Sequence, residues 1–487
     1  MSRKNVIIIG AGTSGIVAAK NLAHKYNVLL FEQSKIKKLP IWNRIPLMIG
    51  HLFKAENKYI SIPKFVVNSQ RKAPYFKSNV LGGCSTTNGS VHVLGSNIVW
   101  QKILSKFDLT LADLSQSYNS LFSFENCKTK INLRYAQQGK LDILFGETLR
   151  KLNINSGSTN YMNEPTFGPI INTVNRVFRS SVMNLKIPRS VDLRLGSKVE
   201  EIIIKNGKAY GVIANGSEYN CDALILCGGV IGTNRIVYNL AKKNDIPELD
   251  SLETLADHTS LRINVLTKEK INSLNEVNSS FFSKMLLLFK HIFGFKTFMQ
   301  GSGGTSALHI DIDGDGLIDT RINLLNFYES GRVSEKLLDD SEPGFSLSIT
   351  MMNPISRGGI SFTDNSEDIN PRYLSDQEDQ ILLKKALAYS LQILESKPLS
   401  DLILSIQDED KIKNNPEQYI EENLFSGYHL IGGCSNLIEK NFQMKSIKNI
   451  FISDASIFDK YPSSNIHSSV AIISDLASKN IVKKSLI

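Results

Sequence analysis

Near the start of the chain, Gly10-Ala11-Gly12-Thr13-Ser14-Gly15 has the spacing that lets a backbone approach a pyrophosphate. Gly10, Gly12 and Gly15 permit the tight turn and close approach, while Thr13 and Ser14 open a helix whose N-terminus favours negative charge. Glu32 follows about twenty residues on, placed to accept both ribose hydroxyls of an adenosine. The chemistry implied is dinucleotide binding, and this fingerprint alone does not separate NAD from FAD. A second run of small residues, from Val80 to Gly89, contains Gly82, Gly83, Ser85, Asn88 and Gly89. Free N–H groups there would wrap another face of a large cofactor, whereas a plain turn would ask for less.

These loops need rigid elements on either side. Val6 to Ile9 is an uninterrupted apolar run, as expected for a strand buried on both faces of a parallel sheet. Ile16 to Leu22 reads as a helix and Val28 to Phe31 as a second strand, which completes a βαβ unit around the first loop.

Composition narrows the class further. The chain has 487 residues, 42% apolar and 21% charged, ordinary for a globular protein with room for two cores. Its net charge of +9 is spread along the whole length, and no basic helix with interleaved aromatics is present, so no nucleic-acid partner is expected. The five cysteines are odd in number and lack zinc spacing, which fits reduced thiols and a cytoplasmic location. No stretch is long and apolar enough for a spanning helix.

Taken in order, these and further segments resemble the glucose–methanol–choline oxidoreductases, a family of FAD enzymes acting on alcohols and sugars. The Gly82-to-Gly89 run looks like the family's GGSSxxNG loop along the flavin and pyrophosphate. Some members tether flavin to a histidine where this chain has Thr87, so the resemblance implies FAD held without a covalent bond. Arg179-Ser180-Ser181, the strands Val199–Ile204 and Tyr210–Ile213, and Asp222 to Ile231 resemble the middle cofactor segments. Leu255-Ala256-Asp257-His258 resembles a short motif that follows, Pro354 to Gly359 and Pro371 to Asp376 look like the substrate domain's two most recognisable segments, and Asp454-Ala455-Ser456 resembles the segment that closes the fold. The resemblance thus places Val91, Val199, Gly228, Asp454, Ala455 and Ile466 along the cofactor, with the glycine-loop residues and Glu32.

Gly427 to Cys434 resembles the family's HxxGTC segment, and Pro462 to Val470 its last catalytic segment. Together they imply that His429 and Asn465 stand side by side before the flavin, with His467 as the alternative partner after a two-residue slip. The chemical demand is plain. An alcohol gives up hydride only as its O–H proton leaves; a histidine can take that proton at neutral pH, and an amide N–H can hold the oxygen. His92 and His258 are expected to be structural. A flavin lyase or decarboxylase of the same fold, or a silent flavin-binding protein, is the alternative.

The implied fold is α/β: a discontinuous Rossmann-like FAD-binding domain (1–160, 186–260 and 420–487) and an α+β substrate domain with an antiparallel sheet (161–185 and 261–419). Residues 265–345 match the family poorly and would set the small-molecule substrate; the electron acceptor is open. Asp311 to Asp319 imitates a calcium loop, but its twelfth position is Ile322, which cannot ligate. An acidic hairpin turn without metal is expected. Phe281 to Phe298 is apolar with lysines at 284, 290 and 296. It reads either as a helix buried in the substrate domain or as a lid or membrane-surface contact. Cys84 and Cys434 are expected as small buried packing residues.

Overall fold

The computed structural model describes residues 3–487 apart from 54–55, 69–70, 162, 247–251, 330–341 and 365. The first strand, Asn5–Ile9, is the centre of a five-stranded parallel sheet. In order, the sheet runs Asp192–Leu195, Asn27–Glu32, Asn5–Ile9, Ala223–Leu226 and Ile450–Ile452. Val6 pairs in register with Val28 on one side and Ala223 on the other. Both faces are covered, so Val6, Ile7 and Ile8 are wholly buried and the run carries no polar residue. Truncating any one of them to alanine would cost about 2–5 kcal/mol.

One face carries the helix Thr13–Leu22, which is backed by a helix far away in sequence. Thr13–Leu22 packs along Ile466–Lys483, where Asn21 Nδ2 donates to Asp475 Oδ1 at 2.8 Å and Ser474 Oγ donates to the Ser14 carbonyl at 2.8 Å.

The second large sheet is antiparallel. It runs Thr166–Pro169, Gly304–Ile310, Thr320–Leu325, Gly344–Met351, Thr259–Thr267 and Ile403–Ile406. Phe425–Ser426 also pairs with Thr259–Thr267, so the segment after residue 420, expected with the cofactor domain, begins on the other sheet. Strand alternation sorts the faces. Leu261, Ile263, Ile322, Leu324, Leu347 and Ile349 enter the core, and the helix Gln377–Glu395 packs against that sheet. Ser260, Arg262, Arg321, Asn323, Ser348 and Thr350 point the other way, into a cavity. Gly304–Ile310 and Thr320–Leu325 form the expected hairpin. In its turn, Asp311, Asp313 and Asp315 accept backbone N–H groups of Gly314, Asp315 and Leu317.

Candidate active site

A single cavity of about 2030 Å³ runs from the parallel sheet to the antiparallel one. That exceeds the usual range for one small ligand and suits a dinucleotide with a substrate beyond it. Gly10, Gly12, Thr13, Ser14, Glu32, Gly83, Asn88, Gly89, Val91, Val199, Gly228, Asp454, Ala455 and Ile466 all line it.

At the nucleotide end the wall is backbone. Gly10 has φ +101°, and a Cβ there would lie 2.4 Å from the Cys227 carbonyl oxygen. The second loop sits on the first. A Cβ on Gly83 would lie 2.9 Å from Gly12 Cα, and Gly82 N–H donates to the Ala11 carbonyl at 2.9 Å. No side chain caps the helix at Thr13, so its first N–H groups stay free for an anion. Glu32 accepts from Ala11 N–H at 2.9 Å and Ser34 N–H at 2.8 Å, one on each oxygen, keeping a lone pair on both. Beneath the second loop, buried Arg179 donates through Nη1 to Asn88 Oδ1 at 2.6 Å and Ser90 Oγ at 2.5 Å. Its Nε and Nη2 have no partner among the described residues, and burial pulls the group down to about 9. Exposed backbone donors, an acid with spare acceptors and an orphaned cation fit an anionic dinucleotide.

Four cofactor expectations change in kind. Gly15, Gly82 and Ser85 do not line the cavity. Gly15 abuts the Gly10 carbonyl, so it serves helix-to-strand packing. Gly82 couples the loops, and the Ser85 hydroxyl closes the turn by donating to the Gly82 carbonyl at 2.7 Å. Asp454 lines the cavity, but its carboxylate is already engaged by Gly229 N–H, the Thr233 hydroxyl, and Ser456 through both N–H and hydroxyl. It braces the helix start at Gly229; burial raises its pKa, against those hydrogen bonds.

At the other end the wall is side chains. His258 Nε2 lies 3.1 Å from the Met352 carbonyl, which only accepts, so Nε2 carries the hydrogen. Burial pushes the ring's pKa well below its ordinary value, and the neutral ring therefore accepts at Nδ1. His429 Nδ1 is 2.9 Å away and must be the donor. That leaves His429 Nε2 bare, 3.1 Å from Asn465 Nδ2. The other end agrees: Arg321 donates to Asn465 Oδ1, and a guanidinium has no acceptor, so the amide NH₂ faces His429. Met352, His258, His429, Asn465 and Arg321 thus form one chain whose donor direction is fixed at both ends. Burial first, then the charge of Arg321, holds His429 down to about 3.

Asn465 is the N-cap of Ile466–Lys483, yet its side chain makes no capping bond. A cap bond contributes about 1 kcal/mol, so the amide is diverted to the site at a cost. His467, two residues on, also lines the cavity, but among the described residues its Nε2 has no partner and no hydrogen bond joins it to His429. The structure therefore brings Asn465, and not His467, to His429.

Buried Asp257 fixes His429 from behind. It accepts His429 N–H at 2.7 Å and the hydroxyls of Tyr373 and Ser426. Tyr461 OH donates to the His429 carbonyl at 2.9 Å. Tyr428 enters with φ +61°, a conformation a bulky residue adopts only when its surroundings impose it. The segments Pro354–Gly359 and Pro371–Asp376 are scaffold here: Asp379 accepts the N–H groups of Ile355 at 3.0 Å and Ser356 at 2.8 Å, and Asp376 caps its helix.

The helix Phe281–Ile292 roofs this end with Lys284, Leu287 and Leu288 at the cavity. It is not buried: Phe281 is 81% exposed, Phe282 76% and Phe293 66%. Cys84, expected to be buried, opens on the cavity, whereas Cys434 is buried against Asn234 Oδ1 at 3.2 Å.

Two residues escaped the sequence reading. His258, expected to be structural, bonds directly to His429, and its signal was its place beside Asp257 in a matched segment. Arg321 was not singled out, although a charge alternating with Asn323 in a short buried strand is such a signal.

A family model described as GMC oxidoreductase matches residues 354–474. A pyranose dehydrogenase from Agaricus campestris is 21% identical, with 98% of this chain and 93% of that one aligned. An oxygen-dependent choline dehydrogenase from Staphylococcus saprophyticus is 20% identical over 97% and 93%. Among solved structures, a formate oxidase of Aspergillus oryzae superposes with a TM-score of 0.84 at 15% identity over 100% of both chains. A pyridoxine 4-oxidase from Mesorbium loti does so at 0.82, also with 15% identity, over 99% of both.

Proposed function

The chain belongs to the glucose–methanol–choline oxidoreductases, and from that premise we propose that it is an FAD-dependent enzyme oxidising the CH–OH group of an alcohol or sugar-like substrate. The observation that carries this reading is the bare His429 Nε2 at the cavity, its tautomer set by His258.

FAD, when bound, supplies the hydride acceptor. The glycine loops, Glu32 and the residues around Val199 and Gly228 would hold it, and Thr87 on the cavity wall supports a non-covalent complex. The substrate hydroxyl enters between Asn465 and His429, accepting from the amide and donating to Nε2. As the proton moves to His429, negative charge builds on the oxygen, where the Asn465 N–H and the nearby Arg321 charge stabilise it. His258 keeps the ring's other nitrogen protonated, so Nε2 remains the acceptor.

The test is anaerobic. The holoenzyme's flavin spectrum should bleach with one class of sugars, polyols or simple alcohols, and His429→Ala should keep the flavin but lose the bleaching. A flavin that none of these reduces would overturn the reading. Acid precipitation should release the flavin into the supernatant; retention in the pellet would overturn non-covalent binding.

The roof helix supports a membrane-surface contact through 281–298. Phe281, Phe282, Met285, Leu286, Phe289, Ile292, Phe293 and Phe295 are exposed, and residues 277–310 hold three lysines and no acid. Exposed Trp42 stands on the same cavity. An apolar rim with lysines fits an anionic lipid surface. The protein should sediment with anionic vesicles, and Phe282→Asp with Phe289→Asp should abolish this; equal recovery in the supernatant with and without vesicles would sink it.

A further inference from the structure

Two arginines stand on the cavity face of the antiparallel sheet, in adjacent cross-strand rows. Arg262 pairs with Ser348, which pairs with Asn323; Ser260 pairs with Thr350, which pairs with Arg321. Arg262 has its carboxylate, forming an ion pair with Glu329. Arg321 is 4% exposed and forms no ion pair among the described residues. Among the described residues its one hydrogen bond is to the neutral Asn465 amide, and its enclosed Nε has no partner there. A buried cation without a counter-charge is strongly disfavoured unless something else brings the charge. Beside it, the Ser260 and Thr350 hydroxyls lie 3.1 Å apart on the cavity wall.

We propose that Arg321 is the anion-recognising residue of the substrate chamber, and that the substrate is a hydroxy acid whose carboxylate lies one or two carbons from the carbinol. The inference rests on the oxidoreductase reading above and names its substrate class. Geometry sets the short spacing. Arg321 and His429 hold opposite ends of one amide, so an anion on the guanidinium leaves the hydroxyl only a few bonds away, at Nε2. Arg321 offers a planar guanidinium whose remaining N–H donors suit a carboxylate, with the Ser260 and Thr350 hydroxyls beside it. In the reaction the carbinol carbon loses hydride to the cofactor and the O–H proton goes to His429 Nε2. A C=O forms, two electrons leave the substrate, and the carboxylate is unchanged. The anion also offsets the Arg321 charge, which after burial is the second cause holding His429 down, and so makes it a better base when substrate is present.

The test compares the holoenzyme with Arg321→Met and Arg321→Lys under anaerobic conditions. The probes are matched pairs, 2-hydroxybutyrate against 1,2-butanediol and 3-hydroxybutyrate against 1,3-butanediol, with butyrate as an unreactive ligand read by flavin spectral perturbation. The wild type should prefer a hydroxy acid, and Arg321→Met should reduce that preference in kcat/KM by about 30-fold or more, with Arg321→Lys restoring part of it. Butyrate should perturb the wild-type flavin and not the Arg321→Met flavin. Equal losses for acid and diol, or butyrate binding that ignores Arg321, would overturn the inference. Reduction by diols alone would overturn it while leaving the oxidoreductase reading intact. Arg321-dependent butyrate binding without reduction by any probe would support the anion site and count against the redox reading.

Discussion

The two ends of the cavity recognise their occupants by different means. The nucleotide end is built from main chain: Gly83 lies against Gly12 and Gly10 against the Cys227 carbonyl, so that a Cβ at Gly10 or Gly83 would collide. The substrate end is built from side chains drawn from distant places: His258 and His429 are 171 positions apart, and Arg321 and Asn465 are 144 apart. A backbone cradle tolerates almost no substitution at its glycines but is indifferent to many neighbours. A side-chain chain survives most single changes as a fold and fails only in chemistry.

That contrast can be broken from either side. The largest effect is expected from Gly10→Ala, where strained φ and a clash with the Cys227 carbonyl coincide; the purified protein should carry no flavin, and a normal flavin spectrum would break the contrast. Next is His429→Gln, which should retain flavin and lose about 10²–10⁴-fold in kcat by removing the base; parallel loss of flavin would show that the chemistry end is structural too. Smaller is His258→Leu, which frees the tautomer of His429 and should lower kcat/KM by about 10- to 100-fold with thermal stability nearly kept.

Two pH experiments sharpen it. Burial and then Arg321 depress His429 to about 3, so Arg321→Met should raise that pKa and move the acid limb of kcat/KM to higher pH. An unmoved limb would separate Arg321 from the base. The smallest effect concerns His309, wholly buried beside Arg321, with both ring nitrogens unpartnered among the described residues and a pKa of about 3. The unfolded ring takes a proton below about 6.5. Between there and about 3 only the unfolded state binds that proton, so stability falls as pH falls. His309→Leu should make this slope shallower by about 1.4 kcal/mol per pH unit, measured by denaturant unfolding.

The same contrast explains what could be read in the sequence. The βαβ unit and its loops are contiguous, so spacing alone displayed them, and the parallel sheet followed. Gly15, Gly82 and Ser85 share that motif, but contiguity does not reveal which way each residue faces. Asn465 lay close enough to the terminal helix to be placed, and the helix geometry separates it from His467. The link from His258 to His429 depends on how the Asp257 segment folds against residue 429. The rows Ser260–Thr350–Arg321 and Arg262–Ser348–Asn323 depend on strand register, which no local pattern carries. Residues 281–298 were ambiguous because an apolar helix at a cavity mouth and one in a core have the same composition; of the region 265–345, the part at 330–341 lies outside the described residues.

The clasp between Thr13–Leu22 and Ile466–Lys483 also bears on timing. Asn21 and Asp475 are 454 positions apart, and Asn465 heads the later helix. During synthesis the first strand and turn emerge early and wait, their helix face uncovered, while hundreds of residues are added at about 5–20 per second. The cradle and Asn465 are therefore brought together only when the last helix docks on the first.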